Sequence, residues 1–205
     1  ADEALEYVHS LEEMHMLDYT IQCKEPPTMG TVCIVDPFST GANLAADVVR
    51  MGYRLVLIFS EVDSPVSGFV GTDAKSTAKQ VIYHDARPPR SAETALADTI
   101  KAVEKATSEA NSPLLAVLAG AETGVELADV LSERMHCRSN KTEKSAARRS
   151  KDLMQETVRK AGLRSIKQKY CMSTADLVVF WESLGGSRCV LKPNSSAGSD
   201  SVYLC

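Results

Sequence analysis

From Thr31 onward, short runs of β-branched and aliphatic residues alternate with longer amphipathic stretches, and that alternation restricts the fold more than any other feature. "TVCIVD", "RLVLIFSE", "VIYHD" and "PLLAVLAG" have the length of strands and are bounded by turn residues. Three helical patterns separate or follow them: "GANLAADVVRMG", which Gly52 ends, "SAETALADTIKAVEKATSEA", with Ser91 placed to cap it, and "ETGVELADVLSERM". Strands interleaved with helices of this length predict a parallel sheet covered on both faces. Right-handed crossovers would wind it into an open, Rossmann-like α/β domain over about residues 31–137.

The 205 residues suffice for one sizeable core, or for a large domain and the start of another. With 44% hydrophobic and 24% charged residues, the composition is that of an ordinary globular chain. A formal charge of −4 argues against general nucleic-acid affinity. No apolar run reaches the roughly 18 residues that would span a bilayer. The expectation is a cytoplasmic protein without a membrane partner; the chain starts at Ala1, so a lost targeting segment stays open. Six cysteines lack a C-x-x-C pair, and Cys33, Cys189 and Cys205 sit in strand-like runs. That pattern predicts buried thiols in a reducing compartment, not a disulfide framework or a zinc site.

Outside the Rossmann-like stretch, residues 2–17 carry a helical pattern, so 1–30 reads as an N-terminal helical extension. Beyond it, "CRSNKTEKSAARRSK" looks like a linker to a second unit, 138–205. The second unit would hold the helix "KDLMQETVRKAG" capped at Gly162, a strand "SIKQKY", a helix "STADLVVFWESLGG" and a strand "RCVLKP". Phe180 and Trp181 are expected in its core.

Four places could carry chemistry. Ser39, Thr40 and Gly41 follow the first strand in "DPFSTGAN", where strand ends and free helix N–H groups favour an anion or carboxylate. An ordinary hydroxyl-capped turn explains the same residues. Glu122 in "AGAETG" opens the second such turn, where capping accounts for it equally well. Arg148, Arg149 and Lys151 crowd a helix N-terminus, where each cation costs roughly 0.3–1 kcal/mol; a bound anion would resolve the conflict, and a solvated basic face is the plainer account. Lys192, beside "PNSSAGSD", places an ammonium among hydroxyls and backbone N–H groups, the parts of a phosphate cradle, although Ser/Gly hairpins are common. The order of Gly and Lys excludes a Walker loop, and G-x-G-x-x-G is absent.

Together, "VDPFSTGANLAADVVRMGYRLVLIFSE", "AVLAGAETGVELADVLSERM" and the stretch from "NKTEKSAARRSKDLMQETVRKAGL" to "CVLKPNSSAGSDSVYLC" resemble the ATP-grasp superfamily. The likeness is greatest to its carboxylate–amine ligases of the L-amino-acid ligase type. The resemblance implies a Rossmann-like pre-ATP-grasp domain followed by the incomplete start of an ATP-grasp domain. It places Lys151 and Lys192 as the two ATP-phosphate lysines. Ser195, Ser196, Ala197, Gly198 and Ser199 would form the loop that closes over the phosphates. Ser39, Thr40, Gly41 and Glu122 would face the substrate. Such enzymes use ATP and Mg²⁺ to phosphorylate a carboxylate, which an amine then attacks to give an amide. The implied partners are ATP and a small carboxylate or amino acid; association with further copies of the chain is left open. Ser201 departs from the family pattern, standing where glycine is usual. The family's Mg²⁺ ligands, adenine hinge and substrate cations lie beyond the equivalent of Cys205, so this stretch alone is expected not to turn over. A second reading is a non-catalytic nucleotide-binding or interaction domain; a nicotinamide oxidoreductase ranks below both for want of its glycine fingerprint.

Overall fold

β1 (Thr31–Val35) is buried along its whole length because its side chains feed two cores on opposite faces of one sheet. In the computed structural model, which describes residues 29–63, 75, 77–196 and 201–205, Cys33 and Val35 enter one core and Val32 and Ile34 the other. β2 (Arg54–Phe59) divides in the same way, with Val56 and Ile58 on one face and Leu55, Leu57 and Phe59 on the other. Full burial of one such side chain contributes about 1.5–3 kcal/mol. Strands apolar on both faces therefore take the middle of a sheet. β3 (Gln80–Tyr83) and β4 (Leu114–Ala119) flank them in the order β3-β2-β1-β4, with every pairing parallel.

Helix α1 (Thr40–Arg50) covers one face with Ala45 and Val48. α2 (Ala92–Glu109) and α3 (Val125–Arg134) cover the other with Leu96, Val103, Ala106, Ala128 and Leu131. The parallel α/β architecture expected from the alternation is the one observed. Ser91 caps α2 as its position suggested, its Oγ accepting from the Thr94 N–H at 3.1 Å. Ser91→Ala is expected to cost about 1 kcal/mol, read as a lower urea midpoint with an unchanged denaturant slope.

Several expectations need correction. β4, read as a buried strand, leaves Leu115 and Leu118 44% and 37% exposed, and among the described residues it stands at the sheet edge, paired with β1 alone. The polar stretch read as a linker is folded: a 3₁₀ turn (Thr142–Lys144) leads into a short helix, α4 (Ser145–Arg149), whose Ser145 is buried against α3. "SIKQKY" forms no strand. The later elements are α5 (Lys151–Lys160), α6 (Thr174–Ser183) and a two-stranded antiparallel hairpin of β5 (Val190–Leu191) and β6 (Tyr203–Leu204).

Among the described residues from 151 on, none is buried, and Trp181 is 42% exposed. The contiguous apolar run from Leu177 to Trp181 wraps around α6 instead of forming one stripe, and among the described residues it gathers no buried cluster. Of the cysteines expected inside, Cys33 is buried, and burial pushes its thiol up to about 12. Cys189 is only half-buried and Cys205 is exposed. No helix among the described residues is long and apolar enough to cross a membrane. The pattern at 2–17 and the loop residues Ala197, Gly198 and Ser199 lie outside the described residues.

Candidate functional site

The strand order reverses between β1 and β4, and at such a switch point a crevice opens at the carboxyl ends of the strands. The two turns singled out in the sequence both sit there. Residues 36–41 leave β1, and residues 120–124 leave β4. Glycine lets them meet backbone to backbone: a Cβ on Gly41 would lie 2.4 Å from the Gly120 carbonyl oxygen, and one on Gly120 would lie 2.7 Å from Pro37 Cα. What these glycines approach is therefore the facing turn, and the Gly41 N–H is spent on the Phe38 carbonyl at 2.8 Å. Ser39 and Thr40 remain exposed at the rim.

Asp36 holds the crevice together, a role its place at the end of "TVCIVD" did not reveal. It is 1% exposed and its backbone has φ 52°, in the left-handed region. Its carboxyl accepts from the Ser60 N–H at 2.8 Å, the Ser60 hydroxyl at 2.6 Å and the Thr123 hydroxyl at 2.7 Å. One side chain thus joins the ends of β1 and β2 to the turn after β4.

Each of the basic residues read as awaiting an anion has a protein partner. Arg148 pairs with buried Asp129 at 2.6 Å and also donates to the Lys141 carbonyl, which fastens α4 to α3. Arg149 lies 2.8 Å from Glu122 as an ion pair, although its buried Nη1 makes no aligned hydrogen bond. Glu122 therefore does more than cap a turn: it ties the switch point to the start of α5.

Lys151 continues that connection to the hairpin. Its ammonium donates to the carbonyls of Asn194 at 3.3 Å and Ser196 at 3.1 Å and to the Ser196 hydroxyl at 3.3 Å. Its backbone N–H donates to the Asn194 carbonyl at 3.2 Å. The α5 N-terminus has no cap from its own Ser150; Asn194 Oδ1 accepts from the Asp152 N–H at 3.1 Å in its place. Asn194 Nδ2 donates to Ser150, which bonds Asp152. Hydrogen bonds from Ser150 and Asn194 hold the Asp152 carboxyl below its ordinary range.

Asn194 follows Lys192 by two residues, so the helix bearing one candidate lysine is docked on the turn bearing the other. Lys192 and Ser195 are exposed there. Ser201 takes φ 53°, conformational space that glycine enters freely and serine only at a cost near 1 kcal/mol. Asn194 was missed as a site residue, because a cap from 42 residues away leaves no local pattern; Arg149 was singled out, but for an anion and not for its pairing with Glu122. Among the described residues no group of three or more His, Cys, Asp or Glu is placed to hold a metal ion.

No family model matches the chain. Over 181 residues it is 32% identical to dapdiamide A synthase of Enterobacter agglomerans, an alignment covering 85% of this chain and 38% of that protein. The ADP complex of N5-carboxyaminoimidazole ribonucleotide synthetase matches with a TM-score of 0.60 at 14% identity, over 90% of this chain and 43% of that one. The L-amino acid ligase from Bacillus licheniformis matches with a TM-score of 0.52 at 12% identity, over 83% and 39%. At such identities the solved structures attest the fold, while kinship rests on the sequence alignment. The chain spans about two fifths of the length of each protein it matches. In sequence and in fold, this chain thus resembles the N-terminal portion of the ATP-grasp carboxylate–amine ligases.

Proposed function

We propose that the complete protein is an ATP-dependent ligase that joins a carboxylate to an amine, with residues 31–137 as its Rossmann-like domain and 138–205 as the start of its ATP-binding domain. The observation that carries this reading is the docking of Lys151 and the α5 N-terminus on the Asn194–Ser196 turn, two residues past Lys192. An ammonium, a helix N-terminus and serine hydroxyls form a donor set suited to phosphate oxygens. Lys151 and Lys192 hold the polyphosphate from two sides, with Ser195, Ser196 and the adjoining Ala197, Gly198 and Ser199 closing over it. To do so, Lys151 exchanges the hairpin carbonyls for phosphate oxygens of similar acceptor character.

In the reaction, a substrate carboxylate oxygen bonds to the γ-phosphorus of ATP and ADP leaves. An amine then bonds to the acylphosphate carbonyl carbon, and phosphate departs. The lysines offset charge on the transferring phosphoryl oxygens. Ser39, Thr40 and Glu122, gathered at the crevice beside α5, orient the substrate. The described residues do not offer the oxygen cluster that Mg²⁺ requires.

ATP titration of the full-length protein tests the lysines. Lys151→Ala and Lys192→Ala are each expected to weaken binding roughly ten- to hundredfold, as for losing one charge-assisted contact. Unchanged affinity in the double variant overturns their assignment. ADP release that requires both a carboxylate and an amine supports the ligase. ATP binding without such release under a panel of both substrates supports a non-catalytic nucleotide-binding domain.

A further inference from the structure

The hairpin that carries Lys192 has very short strands, yet its pairing extends one residue beyond them. The Cys189 N–H donates to the Cys205 carbonyl at 2.9 Å, and the Cys205 N–H donates to the Cys189 carbonyl at 2.9 Å. Two residues that exchange both bonds are directly opposed across an antiparallel ladder, with their side chains on the same face. The register confirms the placement, since Val190 pairs with Leu204 and Leu191 with Tyr203. Opposed residues of this kind have Cα atoms about 5.5 Å apart, within the roughly 4.4–6.8 Å that disulfides span. Their Cβ atoms, up to about 5.5 Å apart, must close to the roughly 3.5–4.5 Å of a disulfide, so oxidation draws the two short strands together. Both cysteines are free, Cys189 half-buried and Cys205 exposed. Cys33 offers a contrast within the chain: it lies inside the sheet core, where burial disfavours its thiolate.

We propose that Cys189 and Cys205 are a redox modification site, forming a reversible disulfide across the base of the hairpin. The reaction needs a small disulfide as oxidant, such as oxidised glutathione. The Cys205 thiolate attacks one glutathione sulfur, the glutathione S–S bond breaks, and one glutathione thiolate leaves. The Cys189 thiolate then attacks the Cys205 sulfur of the mixed disulfide and expels the second. Two electrons pass from the protein to glutathione, and the two cysteine protons end on the two glutathione thiols. The new bond closes a 17-residue loop containing Lys192, Asn194, Ser195 and Ser196. It therefore holds the strands in register and restricts the turn against which Lys151 docks. The pairing geometry alone supports this site, so it stands or falls separately from the ATP reading.

The test equilibrates the full-length protein in glutathione buffers of rising oxidised fraction, then quenches with acid, alkylates and maps peptides. The expected result is a Cys189–Cys205 linked peptide, loss of two of this stretch's six thiols and no higher-mass species on a non-reducing gel. Dithiothreitol restores the thiols. Cys189→Ser and Cys205→Ser each abolish the link, and Cys33→Ser leaves it intact. The proposal is overturned if both cysteines stay alkylatable in the most oxidising buffer. Mixed glutathione disulfides that persist on both, or links to Cys171 or to a second chain, overturn it equally.

Discussion

Gly120→Ala is expected to lower stability by about 3 kcal/mol, the upper part of the range for forcing extra atoms into a packed site. The new Cβ would meet Pro37 Cα at 2.7 Å, the Asp36 carbonyl oxygen at 2.8 Å and Ile34 Cγ2 at 2.8 Å. Two of those three are backbone atoms, which cannot rotate aside. The two turns of the switch point must separate, and that separation also pulls on the Thr123 hydroxyl bonded to Asp36. Gly41→Ala strikes the same contact from the other side, against the Gly120 carbonyl at 2.4 Å. Since both substitutions open one interface, the double variant should cost less than the sum of the singles. Gly162→Ala is the control. It has φ +75° but open space around a Cβ, so only a backbone penalty of about 1 kcal/mol applies. Urea midpoints at constant slope read all four. A Gly120 variant no worse than the Gly162 variant means that the turns do not meet as described.

Asp36→Ala is expected to cost about 3 kcal/mol. Losing the carboxyl strands one N–H and two hydroxyl donors in or beside a buried site, worth about 2 kcal/mol after the hydroxyls find partial replacement. Placing alanine at φ 52° adds about 1 kcal/mol. Asp36→Gly separates the two effects, because glycine loses the same acceptor yet occupies the left-handed region freely. The glycine variant should therefore be the milder of the pair by about that 1 kcal/mol. Equal damage from both variants removes the backbone contribution. Less than about 1 kcal/mol from either removes the claim that one carboxyl holds three chain segments.

Hydrophobic pattern was enough to reveal the sheet because β1 and β2 are apolar at every position from Leu55 to Phe59 and from Val32 to Val35 apart from the periphery. Such runs have no stable place except between two neighbours. The same reasoning overstated the burial of β4, since "LLAVLA" does not say whether one or two strands will flank it. Both switch-point turns were legible from their glycines and their place after strands. The function of those glycines was not, because the partner turn is some eighty residues away. Asp36, Asp129 and Asn194 act through long-range bonds to hydroxyls, a guanidinium and a helix N-terminus. Nothing local distinguishes them from ordinary Asp and Asn. The basic cluster shows the limit of reading a conflict at one level: three cations at a helix start pointed to an anion, and each also has a protein partner that no local pattern announced.

Burial ends at Ser145, while the candidate site depends on residues after it. α4 is therefore the joint between a stretch that closes its own cores and one that, within these residues, is held to it by polar bonds. Those bonds run in a chain, from Glu122 to Arg149 at the switch point and from Lys151 to Asn194 and Ser196 at the hairpin. A displacement of either turn is thus felt by the other through a backbone segment of three residues, Arg149 to Lys151.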